Sequence, residues 1–157
     1  MSIFNKSEWG KLHIAKFSNW TLTLQGDQHL LGWMMIFPPR KITGPFTLLT
    51  DQELVELKRI CIIVENLQKE LFNAEWFNYL QAGNHDGTLH INVQPRYSSQ
   101  RELEGFVFKD ENWGHLAKLL PDNELAPKDI VLKIVTKVRE VIAKNKYPEF
   151  TVEISEN

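Results

Sequence analysis

Gly83-Asn84-His85-Asp86-Gly87-Thr88-Leu89-His90-Ile91-Asn92-Val93-Gln94-Pro95-Arg96-Tyr97 is the stretch whose reading decides the fold. From Thr88 onward it alternates. Leu89, Ile91 and Val93 are apolar, while Thr88, His90, Asn92 and Gln94 are polar. Strand side chains switch faces at every residue, so the pattern predicts a strand over Thr88–Gln94 with one buried face and one hydrogen-bonding face. Same-face neighbours lie roughly 6.6 Å apart at a rise of about 3.3 Å per residue, so one phosphate can touch two or three of them. Pro95 is expected to stop the pairing. The loop in front is short and polar, and Gly83 and Gly87 let backbone N–H groups turn toward an anion. An alternating strand with a solvated polar face is also ordinary in antiparallel sheets, so the pattern alone marks a candidate site and no activity.

The chain has 157 residues, the length of a single domain with one sizeable core. A net charge of −2 gives no electrostatic footprint for duplex nucleic acid. The single cysteine, Cys61, cannot form an internal disulfide and sits in an apolar, helix-like run, as a small core residue does. The opening residues, Met1 to Lys6, have neither a long apolar run nor a small-residue cleavage site, so no signal peptide is expected. The longest apolar run, around Leu30–Pro39, is too short to span a bilayer. A cytoplasmic protein without a membrane partner is the expectation.

Working outward, Phe17–Leu24 and Gly32–Phe37 read as two strands of a hairpin, with Gln25-Gly26-Asp27-Gln28 as turn chemistry. The second strand is apolar on both faces and belongs in the sheet interior, ending at Pro38 and Pro39. Thr50-Asp51-Gln52-Glu53 is a capping box, and Leu54, Leu57, Cys61, Val64, Leu67 and Leu71 then follow helical spacing as a core stripe. Trp76–Leu80 reads as a third strand. Tyr97–Glu104 is a polar segment, Gly105–Phe108 a short strand, and Pro121–Pro127 a loop. A second helix starts at Asp129, whose charge suits the N-terminal dipole, and carries Ile130, Ile134, Val138, Val141 and Ile142. Phe150, Val152 and Ile154 form a last strand, at an edge or in a partner interface. The sum is an α+β domain over 1–157: an antiparallel sheet of about five strands with two main helices.

At Leu89–Tyr97 the sequence resembles the histidine triad family, in which a strand of alternating histidines runs into Pro-Arg. Counting back from Pro95-Arg96, the triad positions here are Thr88, His90 and Asn92, with the central nucleophile retained. Trp20–Phe37 resembles the family's opening hairpin, which forms the nucleoside pocket. Thr50–Glu53 resembles the start of its long helix, and Phe77–Leu80 with Gly83-Asn84 the strand and loop before the triad. Arg96-Tyr97, Gly105 and Asn112-Trp113-Gly114 resemble the tail of the dinucleoside polyphosphate hydrolase branch. The resemblance covers about residues 17–116; the C-terminal helix and strand, 127–154, lie outside it. The outer triad positions depart from histidine. The amide at the third is similar to the glutamine of the nucleotidyltransferase branch, and Thr88 at the first fits neither branch.

The resemblance implies attack on the α-phosphate of a nucleoside phosphate or dinucleoside polyphosphate, through a nucleotidyl-histidine at His90. Imidazole has an ordinary pKa of about 6.5, so a neutral ring is a reasonable nucleophile at pH 7. One ring nitrogen attacks, and the other needs an acceptor, in this family usually a backbone carbonyl. Donors must meet the phosphoryl charge. Asn92, Thr88, Asn78, Asn84 and the loop N–H groups, including that of Gly87, are the candidates, with His85 and Asp86 beside them in the loop. Gln25 and Asp27 are candidates for the ribose. Asn92 can donate to a leaving oxygen but cannot act as a general acid, so turnover is expected to be slow or confined to good leaving groups. Arg96 fits a structural ion pair better than a phosphate contact. The five histidines are spread along the chain with no zinc-ligand spacing, so neither a metal nor a cofactor is expected. A homodimer is implied by the resemblance. The competing expectation is a nucleotide-binding module left weakly active or inactive by the altered triad.

Overall fold

Short apolar-polar runs pair into one antiparallel sheet in the computed structural model, which describes residues 3–38, 40–81, 87–118, 124–145 and 152–154. The strands are β1 (His13–Lys16), β2 (Thr21–Leu24), β3 (Met34–Phe37), β4 (Trp76–Leu80), β5 (Ile91–Arg96), β6 (Arg101–Leu103), β7 (Phe106–Phe108) and β8 (Glu153–Ile154). Six of them form the main sheet in the order β4-β5-β3-β2-β1-β8, and β6 and β7 form a separate hairpin. The expected α+β class holds, with one strand more than expected in the main sheet. β3 is interior, as its two apolar faces require: β2 pairs along one side and β5 along the other.

Helix α1 (Asp51–Phe72) begins at the expected capping box, with Thr50 Oγ1 accepting from the Glu53 N–H and the Glu53 carboxylate accepting from the Thr50 N–H. Its buried stripe runs through Leu57, Ile60, Val64 and Leu67, while Leu54, Cys61 and Leu71 are only half-buried at its margin. Helix α2 (Lys128–Lys144) buries Ile130, Ile134, Val138 and Ile142, with Val141 half-buried. Asp129 stands in its first turn, as the dipole argument expects. Both helices lie on one face: α1 contacts β5, α2 contacts β1 and β8, and the helices touch each other. Leu22, Leu24, Met34 and Ile36 belong to that core and have no exposed surface.

Gly32 shows how closely α1 seats. Its φ is +88°, and a Cβ there would lie 2.3 Å from Cδ2 of Phe72, at the last turn of the helix. Its carbonyl accepts from Gln68 Nε2 at 2.9 Å, and the same amide nitrogen reaches the Val93 carbonyl at 3.1 Å. One buried glutamine thus ties α1 to the turn before β3 and to β5.

Four readings need correction. The central strand starts at Ile91, three residues late, because β3 ends at Phe37 and a connector takes its place: Leu89 N–H donates to the Ile42 carbonyl and Thr88 bridges Thr43. Pro95 does not stop it. Phe77 pairs with Pro95, and Glu75 N–H donates to the Arg96 carbonyl. Backbone groups alternate sides along a strand, so those of Pro95 face away from β4, where the β3 ladder has ended. The polar face of β5 is not solvated either: Asn92, Gln94 and Arg96 are buried. Finally, part of the polar segment Tyr97–Glu104 is a strand. Glu104 (φ 53°) and Gly105 (φ 83°) both take the left-handed region that a two-residue hairpin turn between β6 and β7 requires. The loop residues Gly83, Asn84, His85 and Asp86, and Phe150, lie outside the described residues.

Candidate functional site

The face of the sheet away from the helices carries the candidate chemistry. The register that pairs Ile36 with Ile91 sets Phe37 opposite His90, and their rings stack with centroids 5.6 Å apart and planes 27° from parallel. His90 Nδ1 lies 2.9 Å from the Thr88 carbonyl oxygen. A carbonyl has no proton to give, so Nδ1 carries the hydrogen, and the lone pair of the neutral ring is on Nε2. The tautomer and the ring plane of the half-buried imidazole are therefore both fixed. Thr88 supplies this carbonyl from the irregular stretch that follows Gly87, whose φ is +68° and where a Cβ would lie 3.4 Å from Thr43 Cγ2.

Asn92 follows His90 on the same face. Its Oδ1 accepts from the Trp33 indole Nε1 at 3.0 Å, and its Nδ2 donates to the Leu80 carbonyl at 3.3 Å. Trp33 lies just before β3 and Leu80 ends β4, so the amide bridges the strands on either side. Gln94, one step further, is fully buried, and neither of its amide atoms has a partner among the described residues. This is the face that the sequence reads as a solvated row of donors.

Arg96 closes the far end of this face. Its Nε donates to Asp110 Oδ2 at 2.6 Å and its Nη2 to Asp110 Oδ1 at 2.9 Å. The same guanidinium reaches the carbonyls of Asn112 and His115, each at 2.7 Å, and so draws the chain after β7 over the end of β5. It also donates to Asn78 Oδ1. Asn78 is thus committed to Arg96. It lines a separate cleft of about 440 Å³ with Trp76, Trp113 and Leu116, away from the His90 end of the strand. The structural role expected for Arg96 is the one observed.

Gln25 and Asp27 stand at the β2–β3 turn. Thr21 pairs with Phe37, level with His90, so Gln25 is four residues up the strand, roughly 13 Å along it at about 3.3 Å per residue. Gln25 Oε1 accepts from the Asp27 N–H at 3.5 Å, and Asp27 Oδ1 from the Ile3 N–H at 3.1 Å. The turn itself is clasped by the fully buried Gln28. Its Nε2 donates to the Gln25 and Trp33 carbonyls, and its Oε1 accepts from the Gly32 N–H. Next to it His29 is 5% exposed and packs edge-on against Trp33 at 5.1 Å. Burial pushes its pKa down, against smaller upward pulls from backbone groups and from the charges of Asp110 and Asp27.

Thr88, His90 and Asn92 are therefore together, while Asn78 and the Gln25–Asp27 turn lie further along the sheet. Asn84 is outside the described residues. Trp33 and Phe37 went unread as site residues because their roles depend on cross-strand register, which a lone sequence does not display; Gln28 reads only as turn chemistry, and Asp110 meets Arg96 only through the tertiary fold. Burial, with the Glu65 charge second, pushes the Cys61 thiol up to about 11, which disfavours the thiolate a nucleophile needs. Among the described residues no group of three His, Cys, Asp or Glu is placed to hold a metal ion, and no helix is long and apolar enough to cross a membrane.

No family model and no curated protein matches the sequence. The fold, in contrast, is similar to solved histidine triad proteins over most of the chain. A hypothetical histidine triad nucleotide-binding protein of Sulfolobus tokodaii superposes with a TM-score of 0.65 at 16% identity, over 85% of this chain and 84% of that one. A histidine triad protein of Sinorhizobium meliloti gives 0.64 at 18%, over 89% and 96%. The diadenosine triphosphate hydrolase of Plasmodium falciparum, solved with cyclomarin A, gives 0.62 at 13%, over 92% and 83%. At these identities the likeness is one of fold.

Proposed function

We propose that this histidine-triad-like domain is a nucleotide-binding hydrolase or nucleotidyltransferase acting at the α-phosphate of nucleoside phosphates, of the diadenosine polyphosphate kind, with His90 as nucleophile. One observation carries the reading. His90 is held by the Thr88 carbonyl at Nδ1 and by the Phe37 ring on its face, which leaves Nε2 as the nucleophilic atom. The Nε2 lone pair attacks phosphorus, the bond to the leaving oxygen breaks, and water or another acceptor then displaces the nucleotidyl group from the ring. Thr88 and Asn92 flank the phosphoryl group and the Gly87 backbone faces it, while Gln25 and Asp27, on the turn roughly 13 Å along the strand from His90 at about 3.3 Å per residue, are left to meet the far end of the nucleoside.

The deciding experiment is intact-mass spectrometry after brief incubation with diadenosine polyphosphates, with His90→Ala as control. A gain of one nucleotidyl group, absent in the variant, is expected. An adduct or full turnover in His90→Ala sinks the assignment. A second reading, a nucleotide-binding module with little or no activity, is favoured by the burial of Asn92 and its engagement at both ends of the amide. It predicts nucleotide binding with neither adduct nor product.

The reading extends to a homodimer. β4 is a sheet edge among the described strands, and Trp76 and Tyr79 on it and Val55 and Ile62 on α1 are exposed. An unpaired edge beside apolar side chains suits antiparallel pairing with a second copy. Light scattering on the purified protein, with Tyr79→Lys and Ile62→Lys as disrupting variants, tests it.

A further inference from the structure

We infer that Trp33 is a positioning residue that holds the Asn92 amide as a fixed hydrogen-bond donor, and that this restricts the site to leaving groups that depart without a proton. The inference rests on the proposed role of His90.

A free asparagine offers phosphate its oxygen as readily as its nitrogen, and the oxygen repels an anion. The Trp33 indole removes the choice. It has one N–H and no acceptor, so the atom 3.0 Å from it is Oδ1, and the amide nitrogen is turned the other way. One Nδ2 hydrogen goes to the Leu80 carbonyl. The second meets no acceptor among the described residues, next to His90 on the same face. Trp33 is itself held: it is 3% exposed, and His29 packs edge-on against its ring. The lock thus reaches from the β2–β3 turn through Trp33 to the triad position.

The chemical consequence follows from what an amide can do. It donates a hydrogen bond but does not surrender a proton, and the Thr88 hydroxyl is no better an acid. When His90 Nε2 attacks a phosphoric anhydride, the P–O bond breaks with its electron pair on the leaving phosphate oxygen. That oxygen shares its charge with its neighbours and accepts the Asn92 N–H. The proton on Nδ1 stays there, donated to the Thr88 carbonyl. When Nε2 attacks a phosphoramidate, the electron pair of the breaking P–N bond is left on nitrogen, a far stronger base that must take up a proton as the bond breaks. In both cases water then attacks phosphorus, the P–Nε2 pair returns to the ring, and the water proton passes to the released nucleotide or to solvent.

The test compares diadenosine tetraphosphate with adenosine 5′-phosphoramidate on the full chain, following the His90 adduct by intact mass and AMP by chromatography. Adduct formation from the anhydride is expected to be at least about 100-fold faster, the lower end of what a general acid contributes. Trp33→Phe keeps an aromatic ring and removes the N–H. It should lower kcat on the anhydride about tenfold with KM little changed, as expected when one hydrogen bond made in the transition state is lost. The Asn92 side-chain amide resonances should also broaden or shift in that variant. Asn92→His, which restores a proton donor, should raise phosphoramidate turnover and add an acidic limb to its pH profile. Equal rates on the two substrates overturn the inference while leaving His90 as nucleophile. Unchanged kcat and amide resonances in Trp33→Phe overturn the positioning role. No adduct from either substrate overturns the His90 reading, and the inference with it. The substrate ratio needs only the wild-type chain, so it stands even where a Trp33 variant fails to fold.

Discussion

Arg96 and Asp110 form a two-pronged ion pair in the interior, at 2.6 and 2.9 Å, with side chains only 4% and 2% exposed. The guanidinium has further donors, and they hold the Asn112 and His115 carbonyls and the Asn78 amide oxygen. The pair is therefore the latch that keeps the chain after β7 against the end of the triad strand. Breaking one side leaves a buried charge without its partner. Arg96→Ala or Asp110→Ala should each destabilise by about 3–5 kcal/mol in urea unfolding. Arg96→Met combined with Asp110→Leu should lose less than either single change, because no charge is then stranded. A double variant as damaged as the sum of the singles would contradict this account.

Much of the architecture was legible because local chemistry and fold agree. The Thr50–Glu53 capping box, the helical stripe after it and the alternation in β2 each point to the element that forms. Elements set by tertiary partners were not. Residues 1–15 show no clear period, yet an Asn5-capped 3₁₀ turn leads into β1, which pairs with β2 and β8. At the site, His90 follows from the family resemblance, which also implies a backbone-carbonyl acceptor without saying which; the structure supplies it from Thr88. Phe37 and Trp33 have no such signal, since they meet His90 and Asn92 only through the β3–β5 register. The burial of the polar face also had no signal in the strand: its partners are Trp33 and Leu80 at Asn92 and Asp110 with the chain after β7 at Arg96.

Gly32 carries a prediction about that register. At φ +88° an alanine is strained, and its Cβ would lie 2.3 Å from the Phe72 ring. Gly32→Ala should cost about 2–4 kcal/mol by thermal or urea unfolding, combining overpacking with backbone strain. Phe72→Leu in the same chain should recover the packing part only. Full recovery would mean that the backbone conformation itself costs nothing.

Gln94 should be better as an apolar residue. Its side chain has no exposed surface, and neither amide atom has a partner among the described residues. Replacing an unsatisfied buried amide with Leu or Met of similar volume removes a desolvation cost of about 1–3 kcal/mol. Gln94→Met should therefore unfold at higher urea concentration than the parent chain, and the His90 adduct should still form. A less stable variant would show that the amide is satisfied in solution, as by a buried water.

His29 sets a pH window. Its folded pKa lies below the ordinary 6.5, first because of burial. Above pH 6.5 the ring is neutral in both the folded and the unfolded chain, and its contribution to stability is fully present. Below that value the unfolded chain takes up a proton that the folded chain resists. Stability therefore falls with pH from 6.5 down to the lowered folded pKa, with a slope of about 1.4 kcal/mol per pH unit at most for one proton. His29→Gln cannot titrate, so its stability should change less than the wild type over pH 6.5 to 5, in urea melts at matched ionic strength. Because His29 supports Trp33, the same acidification in the wild type should loosen the Asn92 amide before the chain unfolds. Parallel stability profiles for wild type and His29→Gln would remove His29 as the source of the slope.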